Sequence, residues 1–436
     1  MISQQEFTTR QDRLLAQCQP YSICLIHAAS LVTRSRDTEY VFRQNSDFWY
    51  LTGFNEPDGW LVLSNHPRYP SNFRAMACQA KDPQAEVWHG RRFGAENALE
   101  HFGLDEACEL EQLPEALHEW MSGHKHVYFA LGDNEKADQV VTEMLAMLRS
   151  TPKENTAPQS LEDIRPILHE MRLFKSACEV AVMRAAAQIS ASAHKRAMQL
   201  AHPGCYEYQL EAELHHEFAM AGARSPAYGT IVGSGNNACI LHYTENSDKV
   251  ADGDLILIDA GAEFQGYAAD ITRTFPANGT FTDAQKEVYA LVLKAQEAVL
   301  AMIGPGVTLN EAMQLSAEII TDGLITLGVL TGSVADNLDK QSWRQYYLHG
   351  LGHYIGLDVH DVGDYKIQGE DRPLKPGMVI TVEPGIYLPE DADIPQQYRG
   401  MGVRIEDDVV ITATGADILT GDVPKQIEDI EALMRK

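Results

Sequence analysis

The stretch GDLILIDAGAEFQGYAADITRTF, residues 253–275, decides the reading of this 436-residue chain. An apolar run from Leu255 to Ile258 ends at Asp259, and Gln265-Gly266 reads as a two-residue turn that returns the chain through Asp270. In such a hairpin the numbers of facing partners sum to an odd value. The sum of 259 and 270 is odd, so both carboxylates emerge on one face. A turn at Gln265-Gly266 makes them a diagonal pair roughly 7 Å apart. Two like charges beside apolar neighbours each lose hydration and repel the other, a cost that a shared cation removes.

A second pair repeats the pattern. Glu383 ends the apolar strand MVITVEPG (378–385), and Glu406 lies in VRIEDDVVI (403–411), with Arg404 two residues earlier on the same expected strand face. That places Arg404 to hold Glu406 as a supporting partner, with a surface ion pair as the competing reading. His353 of HGLGH (349–353) completes a set of five ligand-type side chains with Asp259, Asp270, Glu383 and Glu406. Four ionised carboxylates match the charge of two divalent cations, and mostly oxygen ligands with one imidazole suit Mn²⁺ better than a thiolate-type zinc site does. Two such ions about 3.5 to 4 Å apart bind a bridging water, lower its pKa and polarise a carbonyl, which is what amide hydrolysis requires. Any one of these acids alone reads more readily as a turn or capping residue, so the joint occurrence carries the argument. His349 and His353 are spaced i, i+4, yet Gly350 and Gly352 favour a loop, and no Glu follows His349 as a helical HExxH motif demands.

Composition bounds the rest. The formal charge of -27 disfavours nucleic acid and anionic membrane as partners. The seven cysteines include no CxxC pair and fit thiols in a reducing compartment. The segment MISQQEFTTRQDRLL lacks the apolar core of a signal peptide, and no run of 18 apolar residues appears, so a cytoplasmic protein is expected. The length exceeds one ordinary domain. The polar stretch STPKENTAPQS (150–160) reads as a connection between domains. Before it, strands such as SICLIHAAS (22–30) and GWLVLSN (59–65) alternate with helix-like segments, including one over residues 133–149, which predicts an α/β N-terminal domain. After it, apolar spacing predicts helices over residues 179–200, 207–223, 283–302 and 310–327. The C-terminal part therefore reads as α+β, with acid-bearing strands packed on helices, and each half supplies one carboxylate pair.

These contexts, together with RQNSDFWYLTGFNEPDG (43–59), EVWHGRRFG (86–94), LHEMRLFKS (168–176), TIVGSGNNACILHYTEN (230–246) and HGLGHYIGLDVHDVG (349–363), resemble the aminopeptidase P and prolidase family. The resemblance covers nearly the whole chain. It implies an N-terminal α/β domain over residues 1–174 and a "pita-bread" metallopeptidase domain over residues 175–436. It further implies two divalent ions, with Asp259 and Asp270 on one, His353 and Glu383 on the other, and Asp270 and Glu406 bridging them. By the same resemblance His242, His349 and His360 fall on positions that line the substrate side and stabilise the tetrahedral intermediate or orient the peptide. Glu383 would shuttle the proton from the nucleophilic water to the leaving proline nitrogen. The activity implied is removal of an N-terminal residue that precedes proline, by a homo-oligomer (dimer or tetramer) in which Asp37 and Trp88 approach a site, that of a neighbouring subunit included. The alternatives are a prolidase that cleaves only Xaa-Pro dipeptides and a pita-bread domain that binds partners without catalysis.

Overall fold

The computed structural model describes residues 2–150, 153 and 156–435. The chain divides into two compact units, Ile2–Arg172 and Leu173–Lys436 apart from Met1.

The first unit is built on a six-stranded sheet in the order Glu106–Glu109, Phe73–Cys78, Trp60–Ser64, Ser22–His27, His126–Tyr128, Ser160–Glu162. Its central strands are antiparallel and its outer pairings parallel. Ser22–His27 and Trp60–Ser64 are buried along almost their whole length, as near-continuous apolar strands require, and Glu135–Arg149 supplies a capped helix with Asn134 accepting from Ala137 N. Residues 151–152 and 154–155 of the polar stretch lie outside the described residues. The sheet resumes at Ser160–Glu162, so this stretch joins two elements of the first unit, and the division between units follows Arg172. Polarity and prolines signalled a connection but not its place, because a three-residue edge strand leaves almost no periodicity to read.

In the second unit four helices carry the core: α1 (Ala177–Leu200), α2 (Glu207–Met220), α3 (Asp283–Met302) and α4 (Leu309–Thr326). Capping boxes at Ser176, Thr282 and Thr308 set three of the starts, each with Glu or Gln three residues on. The acidic strands form two ribbons of the same construction. In the first, β1 (Leu255–Asp259) pairs antiparallel with β4 (Thr272–Pro276), and the short β2 (Ala262–Phe264) and β3 (Tyr267–Ala268) form the hairpin beyond them. In the second, β5 (Val379–Val382) pairs with β8 (Asp407–Ile411), and β6 (Gly385–Leu388) with β7 (Met401–Arg404). Gln265 and Gly266 both have positive φ (51° and 83°), as the two-residue turn requires. Asp259 faces Thr272, which makes Asp270 its diagonal neighbour.

Alternation divides each ribbon by face. Ile256 and Ile258 of β1 join Val288 and Val292 of α3 in one apolar cluster, whereas Leu257 lies in a different one with Ile231 and Tyr387. Asp259 shares the parity of Leu257. In the second ribbon Ile380 and Val382 pack with Val299 and Ile303, leaving Thr381 and Glu383 on the opposite face. The two ribbons are joined by buried polar bonds. Arg273, fully buried, donates to Asp407 Oδ1 at 2.7 Å and to the carbonyl of Glu406 at 2.5 Å. Asp407 also accepts from Gln296 at 2.9 Å, Thr420 at 2.8 Å and Lys425 at 2.7 Å. Every acceptor position on that buried carboxylate is used, which is the condition for tolerating it.

Candidate metal centre

Each of the four acids sits where a strand ends or breaks. Asp259 is the last residue of β1, Asp270 lies between β3 and β4, Glu383 between β5 and β6, and Glu406 between β7 and β8. A break frees backbone groups that must find other partners. At the first, Ala260 N donates to Ile271 O (3.0 Å), while Ala260 O accepts from His194 and Ala262 N donates to Ser190, both at 2.9 Å and both from α1. Gly261 allows the crossing, because a Cβ there would lie 1.6 Å from the carbonyl oxygen of Ala269. His353 is placed by a second close approach. A Cβ on Gly352 would lie 2.0 Å from Thr381 O, and His353 pairs with Thr381 through both its N–H and its carbonyl. The HGLGH segment is a loop, as its glycines predict.

These side chains converge on one cavity of about 520 Å³, lined by Asp259, Asp270, His353, Glu383, Arg404 and Glu406 together with His242, His349 and His360. Ligand atoms of Asp270, His353 and Glu406 all lie within 4.8 Å of one another. His353 Nε2 is 3.5 Å from both Asp270 Oδ2 and Glu383 Oε1. Its Nδ1 donates to the carbonyl of Tyr354 at 3.0 Å, which fixes the ring and turns Nε2 toward the acids.

The electrostatics of these side chains follow from their burial and crowding. Burial pushes the Glu383 carboxyl up to about 8, against the pull of His353 and Arg404. Burial and then the charges of Asp270 and Glu383 hold Glu406 well above the ordinary carboxylate range, and burial with Asp259 raises Asp270. Burial alone would lower His353, yet its bond to Asp270 and the surrounding acids carry it up to about 9. Tyr228 donates toward Asp259 Oδ1 at 2.5 Å and lies as close to Asp270 Oδ1. One hydroxyl proton cannot serve two acceptors, so the two carboxylates compete for it. Buried acids and an imidazole whose proton affinity is raised at Asp270, Glu383, Glu406 and His353 form a set that fits cations. With four carboxylates in the cavity lining, the His353 imidazole among them and no thiolate, the donors suit hard divalent ions.

Arg404 departs from the expected pairing. Its Nη2 donates to Asp259 Oδ2 at 2.6 Å, its Nε to Thr272 Oγ1 at 3.0 Å and its Nη1 to Tyr387 OH at 2.8 Å. It reaches Glu406 only through Thr272, whose hydroxyl donates to Glu406 Oε2 at 2.6 Å. β7 ends at Arg404 and β8 begins at Asp407, so two-residue alternation does not carry across Ile405. Tyr387 continues the chain to His349 Nε2 at 2.6 Å, while His349 Nδ1 donates to Gly350 O at 2.7 Å. Burial, then Arg404, presses the His349 imidazole down to about 3, in keeping with a neutral ring that accepts there. His360 stacks edge-on against His353 at 4.3 Å, and burial and that neighbour lower its pKa.

Tyr228, Thr272 and Tyr387 were not singled out from the sequence. Parity signals Thr272, two residues beyond Asp270, but nothing in SPAYGT marks Tyr228. Asp37 lies in the exposed turn between Thr33–Ser35 and Thr38–Glu39, and Trp88, 83% exposed, is on a helix with no buried residue. Neither lines this cavity. The seven cysteines are all free thiols, and no helix among the described residues is long and apolar enough to cross a membrane.

Residues 181–413 match the family model of metallopeptidase family M24, and residues 7–128 match that of the aminopeptidase P N-terminal domain. The chain belongs to the aminopeptidase P branch of family M24. This M24 chain is 51% identical to Xaa-Pro aminopeptidase of Escherichia coli over 99% of its length and 98% of the relative's. To Xaa-Pro aminopeptidase of Haemophilus influenzae it is 45% identical, over 99% and 98% of the two chains. To human Xaa-Pro aminopeptidase 3 it is 34% identical over 99% of its length and 86% of the relative's. Among solved structures, zinc-substituted E. coli aminopeptidase P in complex with product matches at a TM-score of 0.97 and 51% identity, covering 100% of this chain and 99% of that one. The same enzyme with the inhibitor Pro-Leu matches at a TM-score of 0.96 and 51% identity, covering 99% and 98%. The M24 chain is thus a metallopeptidase with an aminopeptidase P N-terminal domain followed by the family's catalytic domain.

Proposed function

We propose that the chain is an Xaa-Pro aminopeptidase, which hydrolyses the bond between an N-terminal residue and a following proline. The observation that carries this is the convergence of Asp259, Asp270, His353, Glu383 and Glu406 in one cavity of an M24 chain whose full-length relatives bear that activity. In this reading Asp259, Asp270, His353, Glu383 and Glu406 would together hold two divalent ions. Two ions, most simply Mn²⁺, would polarise the scissile carbonyl and acidify a water at this site. The remaining work falls to side chains. The Glu383 carboxyl, fixed by Thr381 at 3.2 Å and facing both His353 and His349, takes the proton of the attacking water and delivers it to the proline nitrogen. Arg404 orients Asp259 through its bond to Oδ2, and His242, His349 and His360 border the substrate and meet the charge that develops on the carbonyl oxygen.

Residues 1–174 and 175–436 are taken as the N-terminal and catalytic domains. A cytoplasmic homo-oligomer acting on peptides with proline second completes the reading. Three peptides with added Mn²⁺ test the activity: an Xaa-Pro-Xaa tripeptide, an Xaa-Pro dipeptide and an Xaa-Ala control. Release of the first residue from the tripeptide is the expected result. Cleavage of the dipeptide alone makes the chain a prolidase, and cleavage of the control at the same rate removes the proline requirement.

A further inference from the structure

Glu207, the first residue of α2, is fully buried, and five donors converge on its carboxylate. Oε1 accepts from Ser234 N and Ser234 Oγ, both at 2.8 Å, and from Asn237 Nδ2 at 3.1 Å. Oε2 accepts from Tyr243 OH at 2.8 Å and Asp248 N at 2.9 Å. Every one of these donors is neutral. The full set of bonds fixes the carboxylate at the helix N-terminus on which it stands.

All five donors come from one stretch, residues 234–248, and that stretch brings His242 to the metal cavity. His242 is itself exposed, between Leu241 and the buried Tyr243. A second anchor follows at Asn246, which accepts from Val232 N at 2.9 Å and donates to Thr230 O at 2.9 Å and Glu211 at 3.0 Å. Asn237 ties the near side further, to Tyr243 OH at 3.1 Å and Asp248 at 2.9 Å. An exposed histidine has little packing of its own to fix its direction, so the bonds of its neighbours set it.

We propose that Glu207 is a positioning residue for the reaction: through Tyr243 and the turn at Ser234–Asn237 it holds the loop that aims His242 at the substrate. This rests on the reading of His242 as a substrate-side group. No metal ligand is among its partners, so its effect should appear in turnover and not in metal binding.

A double-mutant cycle on the Mn²⁺-loaded enzyme, with an Xaa-Pro-Xaa peptide, tests it. Glu207→Gln places an amide N–H₂ against donors and is expected to lower kcat by about 10- to 100-fold. KM should change less than about threefold, and the Mn²⁺ titration should keep its midpoint. In the His242→Ala background the same substitution should remove less than about a further twofold, because the group being positioned is already gone. Losses that multiply in the double variant overturn the proposal while leaving the role of His242 intact. Wild-type kcat in His242→Ala alone overturns that role and the proposal with it. Should Glu207→Gln fail to fold, Tyr243→Phe removes one of the five bonds to the carboxylate, together with the Asn237 bond to the same hydroxyl. A kcat loss in it that His242→Ala absorbs supports the proposal, and wild-type kcat in it overturns the proposal.

Discussion

A carboxylate in this cavity is defined by what it must share. Asp270 meets the Tyr228 hydroxyl and His353 with its side chain, and its backbone N–H donates to Asp408 Oδ2 at 3.0 Å. Asp270→Ala is therefore expected to abolish metal-dependent turnover, by more than about 10³-fold, while circular dichroism shows a folded protein. Near-normal activity in that variant would remove the assignment. Arg404→Lys tests the neighbouring network: a single ammonium cannot span Asp259, Thr272 and Tyr387 as the fork does, so an activity loss of about 10- to 100-fold is expected in steady-state assays. Asp259 and Glu383 were legible because each terminates an apolar run, where an uncompensated charge needs a reason, and Asp270, His353 and Glu406 were legible by their joint occurrence with them. Tyr228 was not, since a loop tyrosine acquires its position only when the chain folds around it.

At the scale of elements, the recurring device is a strand broken at the acid. Breaking a strand frees backbone groups and requires glycine where two backbones cross, so the glycines carry much of the geometry. Gly352→Ala should cost about 1–3 kcal/mol in urea unfolding and displace His353, since its Cβ would meet Thr381 O at 2.0 Å. The ribbons depend equally on the buried pair between them. Arg273→Ala leaves Asp407 without its fully buried cation and is expected to destabilise the second unit by about 3–5 kcal/mol in the same assay. Apolar spacing marked the helices: α3 spans the expected stretch, and α1, α2 and α4 differ from theirs only at the ends. The partner of Arg404 was not readable, because alternation holds only within a continuous strand and Ile405 interrupts it. That same interruption turns Glu406 into the cavity.

For the molecule as a whole, two ribbons of matching construction each deliver two acids, a duplication at which the sequence only hinted, for the ribbons share pairing geometry and not residues. The first unit has a pH response of its own. Burial, then Arg68 and His66, presses the His124 imidazole down to about 3, with Ser64 Oγ 2.6 Å from its Nε2. A folded pKa below the unfolded value means that the unfolded chain binds more protons, so stability is complete above about pH 6.5 and falls toward pH 3. Between pH 7 and 5 the first unit should lose about 2 kcal/mol through this group, a loss absent in His124→Gln when unfolding is followed at both pH values. The central claim is that the four acids and His353 form a cation site that drives hydrolysis. Its most direct measurement is a calorimetric titration of chelated, metal-free protein with Mn²⁺, run beside cleavage of an Xaa-Pro-Xaa peptide. Two ions bound per chain, with activity restored as they bind and neither seen in Asp270→Ala, is the expected result. A chain that binds no divalent ion tightly enough to restore activity, or that cleaves the peptide equally well without one, would contradict it.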